Sequence, residues 1–253
     1  RSKRGQIRKG PVAPPRLRSG AHPGVRRAVR CGRVDPYGFQ MKLVHSTTIQ
    51  VMKEDCLSVA KRCSENACLL VMGREHGPLA EHKKGQSHIV MSNTTFQDVV
   101  ELSMDPEDRH RPAPRVGGYY APDVLVRYDC YGRHAKRPFK VSMFYAYAAR
   151  MPSSKRHVDG SLVSEADLEA EMVRKVHGVL RNMRLHGRTE LVLGAWGCGH
   201  RGVPCHISAQ AFKVALSSTE FAGAFSRITF AISGLRCEEA FDAFKDAFSG
   251  TPL

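Results

Sequence analysis

The stretch LVLGAWGCGHRGVPCH, residues 191–206, places Gly194, Gly197, Gly199 and Gly202 directly after an apolar run that reads as a buried strand. Glycine weakens a strand and costs backbone entropy. Such density signals a backbone that must come close to something. A strand that runs into glycines and then into a helix is the general arrangement for holding phosphate. Backbone N–H groups converge on the anion, and the helix N-terminus adds a favourable field. Gly197-x-Gly199-x-x-Gly202 has the GxGxxG spacing of dinucleotide sites, yet no acid stands at a strand end about 20 residues on; Glu220, the nearest, lies in a polar stretch. No lysine follows as a Walker A loop requires. A tight structural turn without a ligand stays open on the motif alone. Cys198, His200, Cys205 and His206 share the loop, but their spacing fits none of the common zinc patterns. No metal and no cofactor are assigned.

The flanking elements must hold this loop. Thr48 to Met52 alternate and are β-branched, which predicts a strand. Asp55 is placed to cap a helix through Leu57, Val59 and Ala60. Ala67 to Met72 form a continuous apolar run, a buried strand. Together these make a β-α-β unit, the mark of an α/β sheet. Residues 73–87 read as a loop, 94–104 as helical and 105–118 as a surface loop. VLVRYD and FKVSMFYAYAA read as two further strands. The clearest helix spans 164–186. Ser164 and Asp167 stand at capping-box spacing, and Leu168, Met172, Val176, Val179, Leu180 and Met183 form an apolar stripe. A helix over 207–216, the strand RITFAI and the amphipathic helix CEEAFDAFKDAF close the chain. The alternation predicts one three-layer α/β/α domain.

The 253 residues carry a net charge of +15. Residues 1–34 hold eleven lysines and arginines and no acid, which leaves only +4 for the remainder. Their prolines and glycines argue against regular structure. The expected organisation is therefore a basic arm over 1–40 and a domain over 41–253. The arm reads either as a nucleic-acid or nuclear-import segment or as a solvated leader without a partner. No apolar run approaches the roughly 20 residues of a membrane span. No signal peptide is visible, and the eight cysteines include no CxxC pair. An intracellular setting, nuclear or cytoplasmic, with reduced thiols is expected.

LVLGAWGCG, followed by EFAGAFSRITFAISG, resembles the C-terminal part of the microbial-type poly(ADP-ribose) glycohydrolases, a branch of the macro-domain fold. IQVMKEDCLSVA is similar to that family's first strand and helix, YYAPDVLVRYD to its Tyr-Ser-Pro-Asp-Val entry, and PFKVSMFYAYAARMP to the strand that ends in Ala-Ala-Pro. The likeness runs from about 46 to 234. It implies a mixed sheet between helices and an ADP-ribose cleft at strand ends. It further implies a ligand-binding set of Asp55, Gly77, Gln86 and the run Gly194, Ala195, Trp196, Gly197, Cys198, Gly199, His200, Arg201 and Gly202. Gly197 to His200 would wrap the diphosphate. Arg201 stands where the family usually has an aromatic residue over the distal ribose. Asp55 would contact adenine, or serve only as a helix cap.

The resemblance fails at the reactive end. The family carries Pro-Gly-Gly-Gly and then Gln-Glu-Glu, whose second Glu protonates the leaving oxygen and activates water. Here the glycines are reduced to His76-Gly77-Pro78, Gln86 is kept, and Ser87 and His88 replace both glutamates. Three functions follow as expectations. The first is a catalytically impaired domain that binds ADP-ribose or a related nucleotide, with ADP-ribose or ADP-ribosylated protein as partner and no confident catalytic residue. The second is an atypical hydrolase using His88, Glu75 or Glu81. The third is a scaffold whose arm binds nucleic acid.

Overall fold

The computed structural model describes residues 27–33, 45–81, 85–151, 164–234 and 237–249. Among them, seven strands form one sheet: β1 (Val29–Cys31), β2 (Thr48–Met52), β3 (Ala67–Met72), β4 (Gly118–Tyr128), β5 (His134–Ala146), β6 (Glu190–Leu193) and β7 (Arg227–Ala231). Their order is β1-β4-β5-β3-β6-β7-β2. β5, β3, β6, β7 and β2 run parallel, whereas the β4–β5 and β1–β4 pairs are antiparallel. The sheet is therefore mixed. β2 lies at the edge beyond β7, so the unit that leads from β2 to β3 bridges two intervening strands rather than joining neighbours.

Strand periodicity explains the layering. Cys68 and Leu70 on β3, Phe144 and Ala146 on β5, Leu191 and Leu193 on β6, and Ile228 and Phe230 on β7 point to one face. There they meet α5 (Glu165–Leu185), α6 (Cys205–Leu216) and α7 (Cys237–Phe248). The alternate residues Leu69, Val71, Met143, Tyr145 and Val192 point to the other face. That face is covered by α1 (Cys56–Ala60), α2 (Gln86–Asn93) and α3 (Phe96–Ser103), through Leu57, Val90, Phe96 and Val100 among others. Each fully buried large aliphatic or aromatic side chain contributes about 1.5–3 kcal/mol, so strands buried on both faces carry the stability. The result is the expected three-layer α/β/α domain. No helix among the described residues is long and apolar enough to cross a membrane.

The stripe on α5 packs as expected: Leu168, Met172, Val176, Val179, Leu180 and Met183 are all buried. Its N-terminus carries the capping box, with Ser164 Oγ accepting from the Asp167 amide at 3.0 Å. Three readings need correction. The segment read as a loop to residue 87 already turns into α2 at Gln86, while the helix read over 94–104 forms as α3. Thr94 and Thr95 leave the helix to bond β4: Thr95 Oγ1 accepts from the Leu125 amide at 2.9 Å. A one-turn helix, α4 (Pro106–Arg109), interrupts the segment read as a surface loop.

The third correction concerns the basic segment, in which no strand is expected. Val29–Cys31 pair with Tyr120–Gly118 on β4, and Ala28 is buried with its amide bonded to Ser103 Oγ at 2.9 Å. The prolines and glycines crowd residues 5–24, whereas VRRAVRC from 25 to 31 has none and can extend. The boundary expected at residue 40 thus cuts off an edge strand of the domain. Residues 1–26 and 34–44 lie outside the described residues.

His186 caps the C-terminus of α5, its ring stacked on Tyr120 with centroids 3.7 Å apart, and its Nε2 lies 3.5 Å from Cys31 Sγ. Burial, with Arg188 nearby, pushes the imidazole down to about 4. A helix C-terminus favours the cation by only about 0.3–1 kcal/mol, so burial wins. Between about pH 6.5, the usual histidine value, and pH 4 the unfolded chain binds a proton that the folded chain refuses. Stability is therefore full above that window and is lost as pH falls through it. Urea unfolding at pH 7 and pH 4.5 should show a smaller drop for His186→Phe, which keeps the stack but cannot titrate, than for the natural chain. Equal drops would remove His186 as the cause.

Candidate functional site

Parallel β5, β3 and β6 lie side by side, so their C-terminal ends and the loops that follow open on the same rim of the sheet. Ligands in open α/β sheets bind at such ends. The loop after β6 is the glycine loop. Leu191, Val192 and Leu193 are fully buried and carry the chain straight to it. A Cβ on Gly194 would lie 2.3 Å from the Met72 methyl group. Gly197 has φ +93°, and a Cβ there would stand 2.8 Å from Val203 Cγ2. Gly202 has φ +71°. The backbone favours glycine at Gly197 and Gly202, and Gly194 is closely packed by Met72 and the Ala231 carbonyl.

Gly199 differs. It is exposed, its φ lies outside the left-handed region, and a Cβ there would meet nothing within 4 Å. The loop's internal bonds run Trp196 N to Gly194 O (2.7 Å), Cys198 N to Ala195 O (3.2 Å), Gly202 N to Gly199 O (3.0 Å) and Val203 N to Gly197 O (3.1 Å). The amides of Gly199, His200 and Arg201 donate to no acceptor among the described residues. They stand just before α6, whose N-cap Pro204 supplies no side-chain acceptor. An open run of donors before a twelve-residue helix can hold an anion such as phosphate.

Trp196 faces inward. It is 1 % exposed and packs beside Phe212, at 6.4 Å between centroids. Ser208 Oγ donates to its carbonyl at 2.8 Å and so ties the loop to α6. Its part in the rim is thus backbone placement. Ala195 is half-buried, and Cys198 is buried beneath the loop while His200 projects outward. No group of three or more His, Cys, Asp or Glu among the described residues could hold a metal ion.

Asp55 sits at the β2–α1 junction, on the same rim, three strand ends from β3. Its Oδ1 accepts from the amides of Leu57 and Ser58, both at 3.0 Å. The capping role foreseen for it is therefore filled. The Cys130 thiol, from the β4–β5 turn, is pushed up to about 11 by burial and by Asp55 beside it.

The loop after β3 is bound to its own domain. The ring of Tyr145 occupies the space over Gly73, where a Cβ would lie 2.2 Å from Cζ. Its hydroxyl accepts from the Arg74 amide at 2.6 Å, and its one proton is shared between the carbonyls of Arg74 and Gly77, at 2.8 and 2.9 Å. Gln97 holds the Pro78 carbonyl at 3.0 Å. Gln86 is spent on the sheet: Oε1 accepts from the Met72 amide at 2.9 Å, and Nε2 donates to the Leu70 carbonyl at 3.0 Å and to Cys56 Sγ at 3.3 Å. Ser87 is buried at the start of α2, and His88 is exposed. Glu75 and Glu81 are exposed, Glu75 lying 3.9 Å from His76 Nε2.

Four further residues shape the rim and were not foreseen. Arg74 follows β3, and Tyr147 and Arg150 follow β5. Lys175, buried on α5, places Nζ 3.8 Å from the centre of the Tyr147 ring and donates to the Arg115 carbonyl at 2.6 Å. Burial brings that ammonium down to about 8. Arg201 stacks over the same tyrosine, its guanidinium carbon 5.1 Å from the ring centre. Burial, then Arg74, Arg201 and Arg150, lower the His200 imidazole below its usual range. The one available sequence signal was a basic residue just past the ends of two apolar strands, in VMGRE and AYAARM.

Comparison with known proteins places the fold. No family model and no curated protein matches the chain. Solved structures do. Poly(ADP-ribose) glycohydrolase from Deinococcus radiodurans, in complex with ADP-ribose, superimposes with a TM-score of 0.70 at 21 % identity, over 83 % of this chain and 87 % of that one. The Thermomonospora curvata glycohydrolase gives 0.66 at 22 %, over 83 % and 80 %. The same protein bound to the inhibitor ADP-HPD gives 0.62 at 23 %, over 80 % and 79 %. This chain has the macro-domain-like fold of the bacterial poly(ADP-ribose) glycohydrolases.

Proposed function

We propose that the chain binds ADP-ribose, free or attached to protein, by the 194–202 loop, and that it has lost most or all glycohydrolase activity. The observation that carries the binding half is the open run of amides at Gly199, His200 and Arg201, in a loop where Gly199 alone has neither a packing nor a backbone reason to be glycine. A small residue with open space above it is what a closely approaching ligand requires. The glycohydrolases of the same fold supply the ligand class, since one is described in complex with ADP-ribose.

The impaired half rests on the residues that stand where a carboxyl pair would be needed. Glycoside hydrolysis needs an acid at the leaving oxygen and a base for water. Ser87 is buried, His88 is an exposed imidazole, and Gln86 is committed to β3. Loss of the general acid–base group alone removes about 10²–10⁴-fold in rate.

Calorimetric titration with ADP-ribose should give saturable binding, and the same sample should release no ADP-ribose from modified protein above the buffer rate. Release that disappears in His88→Ala would replace this reading with the active one. Gly199→Glu sets a carboxylate where the diphosphate is placed; repulsion of several kcal/mol predicts at least about 100-fold weaker binding with the melting temperature unchanged. Gly197→Ala should instead act on the fold. It forces a Cβ into a left-handed, crowded position, costs about 2 kcal/mol and lowers Tm by roughly 5 °C. Binding untouched by Gly199→Glu would remove the loop as the site.

The basic segment is proposed to give a second, nonspecific affinity for nucleic acid. The segment leads into β1, which pairs with β4. Residues 1–26 hold eight lysines and arginines. Deleting them while keeping β1 should abolish a duplex-DNA affinity that falls steeply with salt. A salt slope unchanged by the deletion would place that affinity on the domain instead.

A further inference from the structure

The rim concentrates more positive charge than a diphosphate held by amides requires. Arg74, Arg150 and Arg201 each follow a different strand, β3, β5 and β6, and those strands are parallel neighbours in the order β5-β3-β6. Two bonds draw their loops together. The Met151 amide donates to the Arg201 carbonyl at 3.0 Å, and Tyr145 Oη accepts from the Arg74 amide at 2.6 Å. Tyr147 carries Arg201 at 5.1 Å and Lys175 at 3.8 Å. The Nε atoms of Arg74 and Arg201 are buried and have no hydrogen-bond acceptor. None of the three arginines forms an ion pair among the described residues. Glu75 is the acid that acts most on Arg201, and it is exposed and turned to His76.

Like charges drawn together with buried, unsatisfied donors are costly unless an anion joins them. Guanidinium forks match phosphate oxygens two at a time. The cluster adjoins the amides of Gly199, His200 and Arg201, so the anion would belong to the same ligand. We propose that Arg74, Arg150 and Arg201 bind a terminal phosphate that the nucleotide carries beyond the diphosphate held by the glycine loop. This rests on the reading of that loop as a diphosphate site. The shared chemistry is a phosphate monoester or a chain-end phosphate. Its two sources are a phosphate on the distal ribose of ADP-ribose and the third phosphate of a nucleoside triphosphate.

Titration of the full chain with ADP, ATP, ADP-ribose and ADP-ribose phosphorylated on its distal ribose separates these. At least one phosphate-terminated ligand should bind about 10-fold or more tightly than its shorter partner. That ratio should fall toward one in Arg74→Gln and in Arg150→Gln; Arg150 is exposed, so its variant should fold normally. Preference for ATP over ADP alone would name the triphosphate, and preference within the ADP-ribose pair alone would name the sugar phosphate. Ratios near one in the natural chain, or ratios unchanged in both variants, would overturn the proposal. An arginine-dependent preference for ATP without any ADP-ribose binding would sustain it and remove the ADP-ribose reading. Tight ADP-ribose binding with no phosphate preference would do the reverse, and no binding of any of the four would remove both.

Discussion

The pairing of β3 with parallel neighbours on both sides is the constraint from which the rest of the rim follows. A strand hydrogen-bonded on two edges and buried on two faces has no freedom of register. Its end is therefore fixed against the ends of β5 and β6. Gly73 bonds the Ala146 carbonyl at 2.7 Å, and Met72 reaches under Gly194. Those two contacts set the spacing between three loops. Arg74, Tyr147, Arg150 and the glycine loop hang from them, whereas Lys175 comes from α5 and Asp55 from a fourth strand end further along.

The fold is that of the glycohydrolases, and the stretch after β3 is tied into it by its own side chains. Tyr145 shows how. Its hydroxyl takes one backbone donor and two backbone acceptors from the loop after β3, and burial raises its pKa well above the usual tyrosine range. A loop held so firmly is a poor candidate for presenting a mobile carboxyl to a substrate. Gln86 follows the same logic, spending its whole amide on the backbone and thiol of its own domain. Polar groups that satisfy one another in this way stabilise a shape and leave little for chemistry.

Much of this architecture could be read locally. Ala67 to Met72 are apolar without interruption because both faces of β3 are covered, and the Ser164–Asp167 pair marks a helix start by side-chain reach alone. The α2 helix escaped notice because its inward face carries Ser87 and Asn93 beside Val90, so no apolar stripe announces it. β1 escaped because three residues are too few to show a period, and their partner lies far along the chain. In the site, the glycine cluster was visible, but the reasons for the glycines were not. Gly194 answers to Met72 and Gly197 to Val203 and Ala148, which are tertiary neighbours. The gathering of Arg74, Arg150 and Arg201 depends on strand order, which no local pattern encodes. Trp196, counted by resemblance among the ligand-binding residues, lies buried beside Phe212 with its carbonyl bonded to Ser208 of α6, contacts that no local pattern encodes.

The two borders of the sheet have a shared origin. Val29 pairs with Tyr120 at one border, and Thr48 pairs with Arg227 at the other. Both border strands are made first and must wait for partners made much later. During synthesis the central strands can assemble around β3 only after β5 and β6 emerge, and β2 finds its place after β7. Such long-range pairing slows folding and leaves unpaired edges exposed in the meantime. The β4 border carries a short strand with arginines in and beside it. Charged, short edges of this kind resist pairing with other chains, so that border is guarded against joining a neighbour.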